Sequence, residues 1–165
     1  MESKAITESM ENYLEVILDL QEKNTVARAG DIADRLGVQR GSVTGLLKKL
    51  ESLGMINYQP YSFITLTPKG KRLARDVAHR HATLKDFLVN VLRIDPQTAE
   101  KTACRMEHGI DKKTLERLVC FIEYIHVCPR AGDEWLDSFI NYCASRELDL
   151  EKCDRCVHGL TTIQE

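Results

Sequence analysis

The side chains best suited to chemistry lie in segment 104–108, which reads Cys-Arg-Met-Glu-His. Cys104, Glu107 and His108 are spaced i, i+3 and i+4, so on a helix their side chains share one face. A thiolate, a carboxylate and an imidazole converging in this way are typical of a transition-metal site. The alternative is a buried cysteine beside a surface Glu–His pair.

Further candidate ligands come from two other segments. Asn12 and Glu15 are spaced i, i+3 on a predicted first helix, and His81 lies on a predicted long helix, with His79 on the other side of that helix. A cation held by groups from all three segments would fix the angle between two halves of the molecule.

A second group of possible ligands is the set of cysteines near the C-terminus. The chain has six cysteines, and in a reducing compartment such clustering favours metal binding over disulfides. Four thiolates suffice for Zn(II) or an iron–sulfur cluster, and four unliganded thiols are the alternative. The predicted second metal or cluster site consists of Cys128, Cys143, Cys153 and Cys156.

The elements that must position these groups are mostly helices. Apolar spacing and capping residues predict helices over about 7–21, 29–36, 40–53, 67–92, 95–108, 112–125 and 133–146. Two β-rich runs, 55–58 and 63–66, flank a proline-containing turn and predict a hairpin. No apolar run approaches the roughly 18 residues that a membrane-spanning helix needs, and residues 1–12 lack the features of a signal peptide. The sequence therefore predicts a cytoplasmic protein.

Three short helices followed by a hairpin are typical of a winged helix-turn-helix, in which the third helix enters the major groove of DNA. Residues 40–85 hold nine basic and two acidic residues in a chain of formal net charge −2, which fits a surface that faces phosphates. A protein-interaction module is the alternative. The predicted DNA contacts are Gln39, Arg40, Ser42, Thr44, Lys48 and Lys49.

Several collinear segments make the chain resemble the diphtheria toxin repressor and manganese transport regulator family. The resemblance covers about residues 8–125 and rests on 10–15 (MENYLE), 31–36 (DIADRL), 42–44 (SVT), 66–70 (LTPKG), 79–81 (HRH) and 104–108 (CRMEH). It implies a dimer, loaded with Fe(II) or Mn(II), that binds a palindromic operator and represses metal-uptake genes. Carried over by position, the implied metal ligands are Asn12, Glu15, His81, Glu100, Cys104, Glu107 and His108.

Three positions bear on which metal is bound. Cys104 stands where the iron-responsive branch has cysteine and the manganese-responsive branch has glutamate. Asn12 replaces a methionine or an aspartate, and Lys85 replaces an ancillary glutamate with an ammonium group that cannot ligate a metal. We therefore expect a second metal site that is altered or that relies on Glu15 and Glu100, and Fe(II) is favoured ahead of Mn(II).

The predicted fold is mainly α, with a winged helix-turn-helix domain at 1–72, a helical metal-binding and dimerisation domain at 73–127, and a cysteine-rich helical tail at 128–165. The alternative function is a winged-helix regulator that senses redox state or an iron–sulfur cluster through its C-terminal cysteines. No phosphate loop, nucleophile elbow or oxyanion-hole motif is present. An enzyme is therefore not expected.

Overall fold

The structure is a computed structural model that describes residues 6–24, 26–59, 62–128, 131–148 and 150. Its contacts divide the chain into two compact units, Met1–Arg80 and His81–Glu165. No helix within the described residues is both long enough and apolar enough to cross a membrane. The domain limits expected from the sequence remain predictions.

The first unit has the helix order and hairpin of a winged helix-turn-helix. Its elements are α1 (Glu8–Asn24), α2 (Ala29–Leu36), α3 (Arg40–Ser52), β1 (Ile56–Asn57), β2 (Thr65–Leu66) and the first part of α4 (Pro68–Asp86). Gly37 ends α2 in the left-handed conformation, with φ 64°, which glycine adopts without a Cβ penalty. Its N–H donates to the carbonyl oxygen of Ala33. The turn between α2 and α3 therefore lies where the sequence predicts it.

One apolar cluster holds the first unit together. Met10, Leu14 and Ile17 of α1 pack with Leu47 of α3 and with Ile64, which precedes β2, and all five are fully buried. Full burial of side chains of this kind contributes roughly 1.5–3 kcal/mol each. These contacts leave the opposite face of α3 available for other partners.

The hairpin is shorter than predicted, because each strand has two residues rather than four. The strands are antiparallel, with Ile56 opposite Leu66, and a separate bridge joins Ala27 to Ile64. The backbone N–H of Leu66 does not end in solvent, because it donates to Gln21 Oε1 of α1 at 3.0 Å. A side chain thus completes the hydrogen bonding of a very small sheet.

Thr67 attaches the hairpin to the start of α4. Its Oγ1 lies 2.8 Å from the carbonyl oxygen of Gly54 and 3.0 Å from that of Met55, so its one hydrogen is shared between them. The same oxygen accepts a hydrogen bond from the N–H of Gly70 at 3.1 Å. The backbones approach so closely here that a Cβ on Gly70 would lie 1.9 Å from the carbonyl oxygen of Met55.

The second unit comprises the end of α4 and three further helices, α5 (Pro96–Met106), α6 (Lys112–Val127) and α7 (Asp133–Ser145). Asp95 begins α5 by accepting a hydrogen bond from Thr98 N, and Asp111 begins α6 by accepting from Thr114 N, as capping residues do. Two apolar clusters hold these helices, one around Leu84 and the other around Ile122. The mainly helical fold predicted from the sequence is confirmed.

One predicted helix differs at its C-terminal end. Residues 67–92 do not form one α-helix, because α4 ends at Asp86 and a π-helical turn covers Phe87–Val91. The turn closes with the N–H of Leu92 donating to the carbonyl oxygen of Phe87, and Arg93 follows with φ 54°. Single π-helical turns of this kind are often found near functional sites.

Candidate metal centre and DNA-binding surface

Glu107 is the centre of a buried polar cluster in the second unit. It caps the C-terminus of α5 and is 0% exposed. Its Oε2 lies 2.6 Å from His81 Nδ1, on α4, and its Oε1 lies 3.3 Å from His108 Nε2. The second contact lacks hydrogen-bond geometry, and Oε1 accepts no hydrogen bond from the part of the chain that the structure describes.

This cluster fits a divalent metal ion. Burying an ionised carboxylate costs on the order of several kcal/mol unless a cation or hydrogen bonds compensate for lost hydration. Two imidazoles and a carboxylate form a donor set that suits Fe(II), Mn(II) and Zn(II). The incomplete bonding of Glu107 Oε1 is the structural feature that such an ion would satisfy.

Glu100 extends the cluster toward solvent. Its Oε1 lies 3.2 Å from His81 Nε2, so His81 has a carboxylate on each ring nitrogen. Its Oε2 lies 2.7 Å from Lys85 Nζ. The hydrogen bond from Lys85 lowers the pKa of Glu100 below its ordinary value, and the charge of His81 acts in the same direction, while burial opposes both. Glu100 is therefore an ionised counter-ion of Lys85 and a neighbour of a candidate ligand.

Cys104 and Glu107 differ in burial. Cys104 is exposed on α5, although the two residues are three positions apart. The predicted helix over 95–108 ends earlier, at Met106, so His108 lies in the turn that follows it. Cys104 stays a predicted ligand on the sequence alone.

The remaining predicted ligands fall into two groups. Asn12 and Glu15 lie on α1 in the first unit, and both are half-buried; their roles as ligands stay predictions. Cys128 is half-buried after α6 and Cys143 is exposed on α7. The two other members of the proposed C-terminal site, Cys153 and Cys156, lie outside the described residues.

The exposed face of α3 carries the side chains predicted to contact DNA. Val43, Leu47 and Leu50 are buried against the first unit's core. All six predicted DNA contacts are exposed, namely Gln39, Arg40, Ser42, Thr44, Lys48 and Lys49. The helix thus separates its packing side from a polar and basic side, as a recognition helix requires.

A groove beside this helix contains two residues that the sequence interpretation did not include, Arg28 and Phe63. The guanidinium carbon of Arg28 lies 5.2 Å from the centre of the Phe63 ring, within the range of a cation–π contact. The groove has a volume of about 720 Å³ and is lined by Arg28, Ala29, Thr44, Lys48, Tyr58, Ser62 and Phe63. Its lining thus includes two cationic side chains and three hydroxyl groups.

Two family models match consecutive parts of the chain. The model of the iron-dependent repressor N-terminal DNA-binding domain matches residues 5–64, and that of the iron-dependent repressor metal-binding and dimerisation domain matches residues 67–136. The chain belongs to the diphtheria toxin repressor and manganese transport regulator family. The resemblance deduced from the sequence motifs is therefore confirmed.

Named relatives and solved structures agree with this family. An uncharacterized HTH-type transcriptional regulator of Methanocaldococcus jannaschii is 40% identical over 72% of this chain and 95% of its own length. The transcriptional regulator MntR of Salmonella typhimurium is 38% identical over 70% of this chain and 73% of its own length. The relatives named here are transcriptional regulators, which supports the repressor function predicted from the sequence, whereas the iron–sulfur alternative finds no support.

The fold is also similar to solved structures of metal-dependent regulators. The crystal structure of IdeR from T. acidophilum has a TM-score of 0.63 and 28% identity, and covers 79% of this chain. A manganese-dependent transcriptional repressor in complex with manganese has a TM-score of 0.65 and 27% identity, and covers 70%. This chain spans 61% and 53% of the lengths of those two proteins, respectively.

Proposed function

We propose that the chain represses transcription as a dimer that binds a palindromic operator of metal-uptake genes when loaded with Fe(II) or Mn(II), in the cytoplasm. The observation that carries the proposal is the fully buried Glu107 carboxylate, which faces an imidazole on each side. A structural role alone gives no reason to retain an incompletely bonded carboxylate in an interior. A divalent cation bound there would neutralise the charge of Glu107 and would be coordinated by the carboxylate and the imidazole nitrogens.

The ligands that we assign to the ion with structural support are His81, Glu107 and His108. Asn12, Glu15 and Cys104 belong to the proposal from the sequence, and so does Glu100, whose Oε1 lies 3.2 Å from His81 Nε2. The choice between Fe(II) and Mn(II) depends on Cys104, because a thiolate favours Fe(II) over Mn(II). A Cys104→Ser variant that loses affinity for Fe(II) much more than for Mn(II) supports a direct role for the thiol.

The DNA-binding part of the proposal rests on the exposed face of α3. Arg40 is suited to guanine and Gln39 to adenine in the major groove, whereas Lys48 and Lys49 suit phosphates. If metal binding raises the affinity for operator DNA by a given factor, thermodynamic linkage requires operator DNA to raise the affinity for metal by the same factor. Both affinities can therefore be measured on one preparation.

The test uses duplexes that the Mn(II)-loaded protein enriches from a random pool. Fluorescence anisotropy then measures duplex affinity for anaerobic protein that is metal-free, Fe(II)-loaded or Mn(II)-loaded. We expect a gain of at least tenfold with either metal and its loss in Glu107→Gln, which keeps the side-chain size and removes the charge. Glu116→Gln is the matched control, because Glu116 is 63% exposed on α6. Equal affinities with and without metal would refute the proposal.

A further inference from the structure

Lys85 introduces a positive charge at the solvent side of the Glu107 cluster. It follows His81 by four residues on α4, so the two side chains lie on the same face of that helix. Both contact the same carboxylate of α5, since the Glu100 oxygens lie 2.7 Å from Lys85 Nζ and 3.2 Å from His81 Nε2. A continuous chain of contacts thus connects an ammonium group to a candidate metal ligand.

The Lys85–Glu100 pair contributes little to folding by ordinary standards. The two side chains are 44% and 52% exposed, and ion pairs of such exposure are worth about 0–1 kcal/mol. The electrostatic effect on a neighbouring doubly charged ion is larger, because it scales with the product of the charges. Lys85 therefore has a larger effect on the affinity for a bound cation than on the stability of the fold.

We infer that Lys85 sets the metal affinity of this centre by competing with the divalent ion for Glu100 and by repelling the ion directly. The inference rests on the proposed metal site and concerns the regulation of that site. The ammonium occupies one oxygen of Glu100 and holds the other against His81 Nε2. A metal ion that approaches His81 thus meets a carboxylate whose charge is already neutralised. Lys85 therefore keeps the occupancy of the metal site low at low metal concentration.

The test measures Mn(II) binding to the full chain by following the free ion with electron paramagnetic resonance. Lys85→Gln removes the charge, and we expect this variant to bind Mn(II) roughly five- to tenfold more tightly than the wild type. This is the size of effect that one unit charge several ångströms from a divalent ion has in a solvated setting. Lys85→Arg retains the charge and should bind as the wild type does. Lys112→Gln removes an equal charge from a side chain that is 90% exposed on α6 and serves as the matched control.

The direction of the effect distinguishes this role from a structural one. Damage to the site lowers metal affinity, whereas loss of a competing cation raises it. In a Glu100→Gln background the gain from Lys85→Gln should shrink, because the contested carboxylate is gone. Unchanged or weaker binding by Lys85→Gln, or an equal gain in Lys112→Gln, overturns the inference.

The same titration separates failure of this inference from failure of the proposed function. A wild-type chain that binds no Mn(II), or a Glu107→Gln variant that binds it as well as the wild type, defeats the proposed metal site and this inference with it. Metal binding that requires Glu107 but is indifferent to Lys85 defeats only the role assigned to Lys85.

Discussion

Replacing Arg28 with glutamine tests whether the groove beside α3 is part of the DNA-binding surface. Arg28 is exposed, and the aromatic ring of Phe63 holds its guanidinium group near Lys48, which lines the same groove. A cation held in this way loses little conformational entropy when it meets a phosphate. We predict that Arg28→Gln weakens DNA binding to a similar extent on enriched and unrelated duplexes, because phosphate contacts carry no sequence information.

The magnitude follows from counterion release. Each phosphate contact contributes about 0.9 to the slope of log affinity against log salt concentration, so two copies in a dimer contribute about 1.8. Arg28→Gln should make the slope shallower by that amount. Between about 50 and 200 mM salt, a fourfold change, the advantage of the wild type over the variant should shrink roughly twelvefold.

The assay is anisotropy of a labelled duplex over that salt range, with metal in excess. Arg35→Gln is the matched control, because Arg35 is likewise an exposed arginine of the first unit. It lies on α2, is 55% exposed and pairs with Asp19 at 2.9 Å. Phe63→Ala retains the charge of Arg28 and should lower affinity less than Arg28→Gln. The reasoning is refuted if Arg28→Gln and Arg35→Gln have the same salt slope.

Three further predictions concern stability and its coupling to function. Gly70→Ala should lower the free energy of unfolding by about 1–3 kcal/mol, because its Cβ would meet a backbone carbonyl oxygen at 1.9 Å; urea unfolding with an unchanged midpoint would contradict this. The methyl groups added by Gly41→Ala and Gly45→Ala would lie in open space. Each substitution should therefore raise thermal stability by up to ~1 kcal/mol yet lower DNA affinity by blocking close approach of α3 to DNA. Equal affinity would mean that α3 does not approach DNA closely at those positions. Hydrogen bonds from Thr114 hold the pKa of Asp111 below its ordinary value. The stabilisation of the fold by ionised Asp111 is therefore complete above the unfolded-state pKa of about 3.9, and it is lost as the pH falls through the lower folded-state pKa. Melting temperatures from pH 6 to pH 2.5 should therefore fall more steeply for the wild type than for Asp111→Asn, which keeps a capping group without the titration; parallel curves would exclude this contribution.

The parts of the fold that local chemistry determines were predictable from the sequence. Gly37, Pro68 and Asp95 mark helix ends or starts through backbone preferences that need no knowledge of tertiary contacts, and the structure has helix boundaries at each. The π-helical turn was not predictable. Leu88 and Val91 are both buried in it, and an uninterrupted α-helix with that spacing would present the same apolar pattern.

The candidate metal site was predictable in its residue types and not in its burial. The spacing of Cys104, Glu107 and His108 identified a helix face, but α5 ends at Met106, and the structure buries Glu107 while leaving Cys104 exposed. The contact of Arg28 with Phe63 joins residues 35 positions apart in sequence. Such a contact depends on how the hairpin packs beside α2, which spacing along the chain does not encode.

The hydrogen bond from Leu66 to Gln21 has a consequence for how copies of this protein behave at high concentration. A strand at the margin of a sheet offers unpaired amide groups to which another chain can add a strand, and this is a common route to aggregation. Here the amide of Leu66 is already occupied by a side chain of its own unit. A two-residue strand with this amide satisfied makes a poor template for intermolecular strand addition at β2.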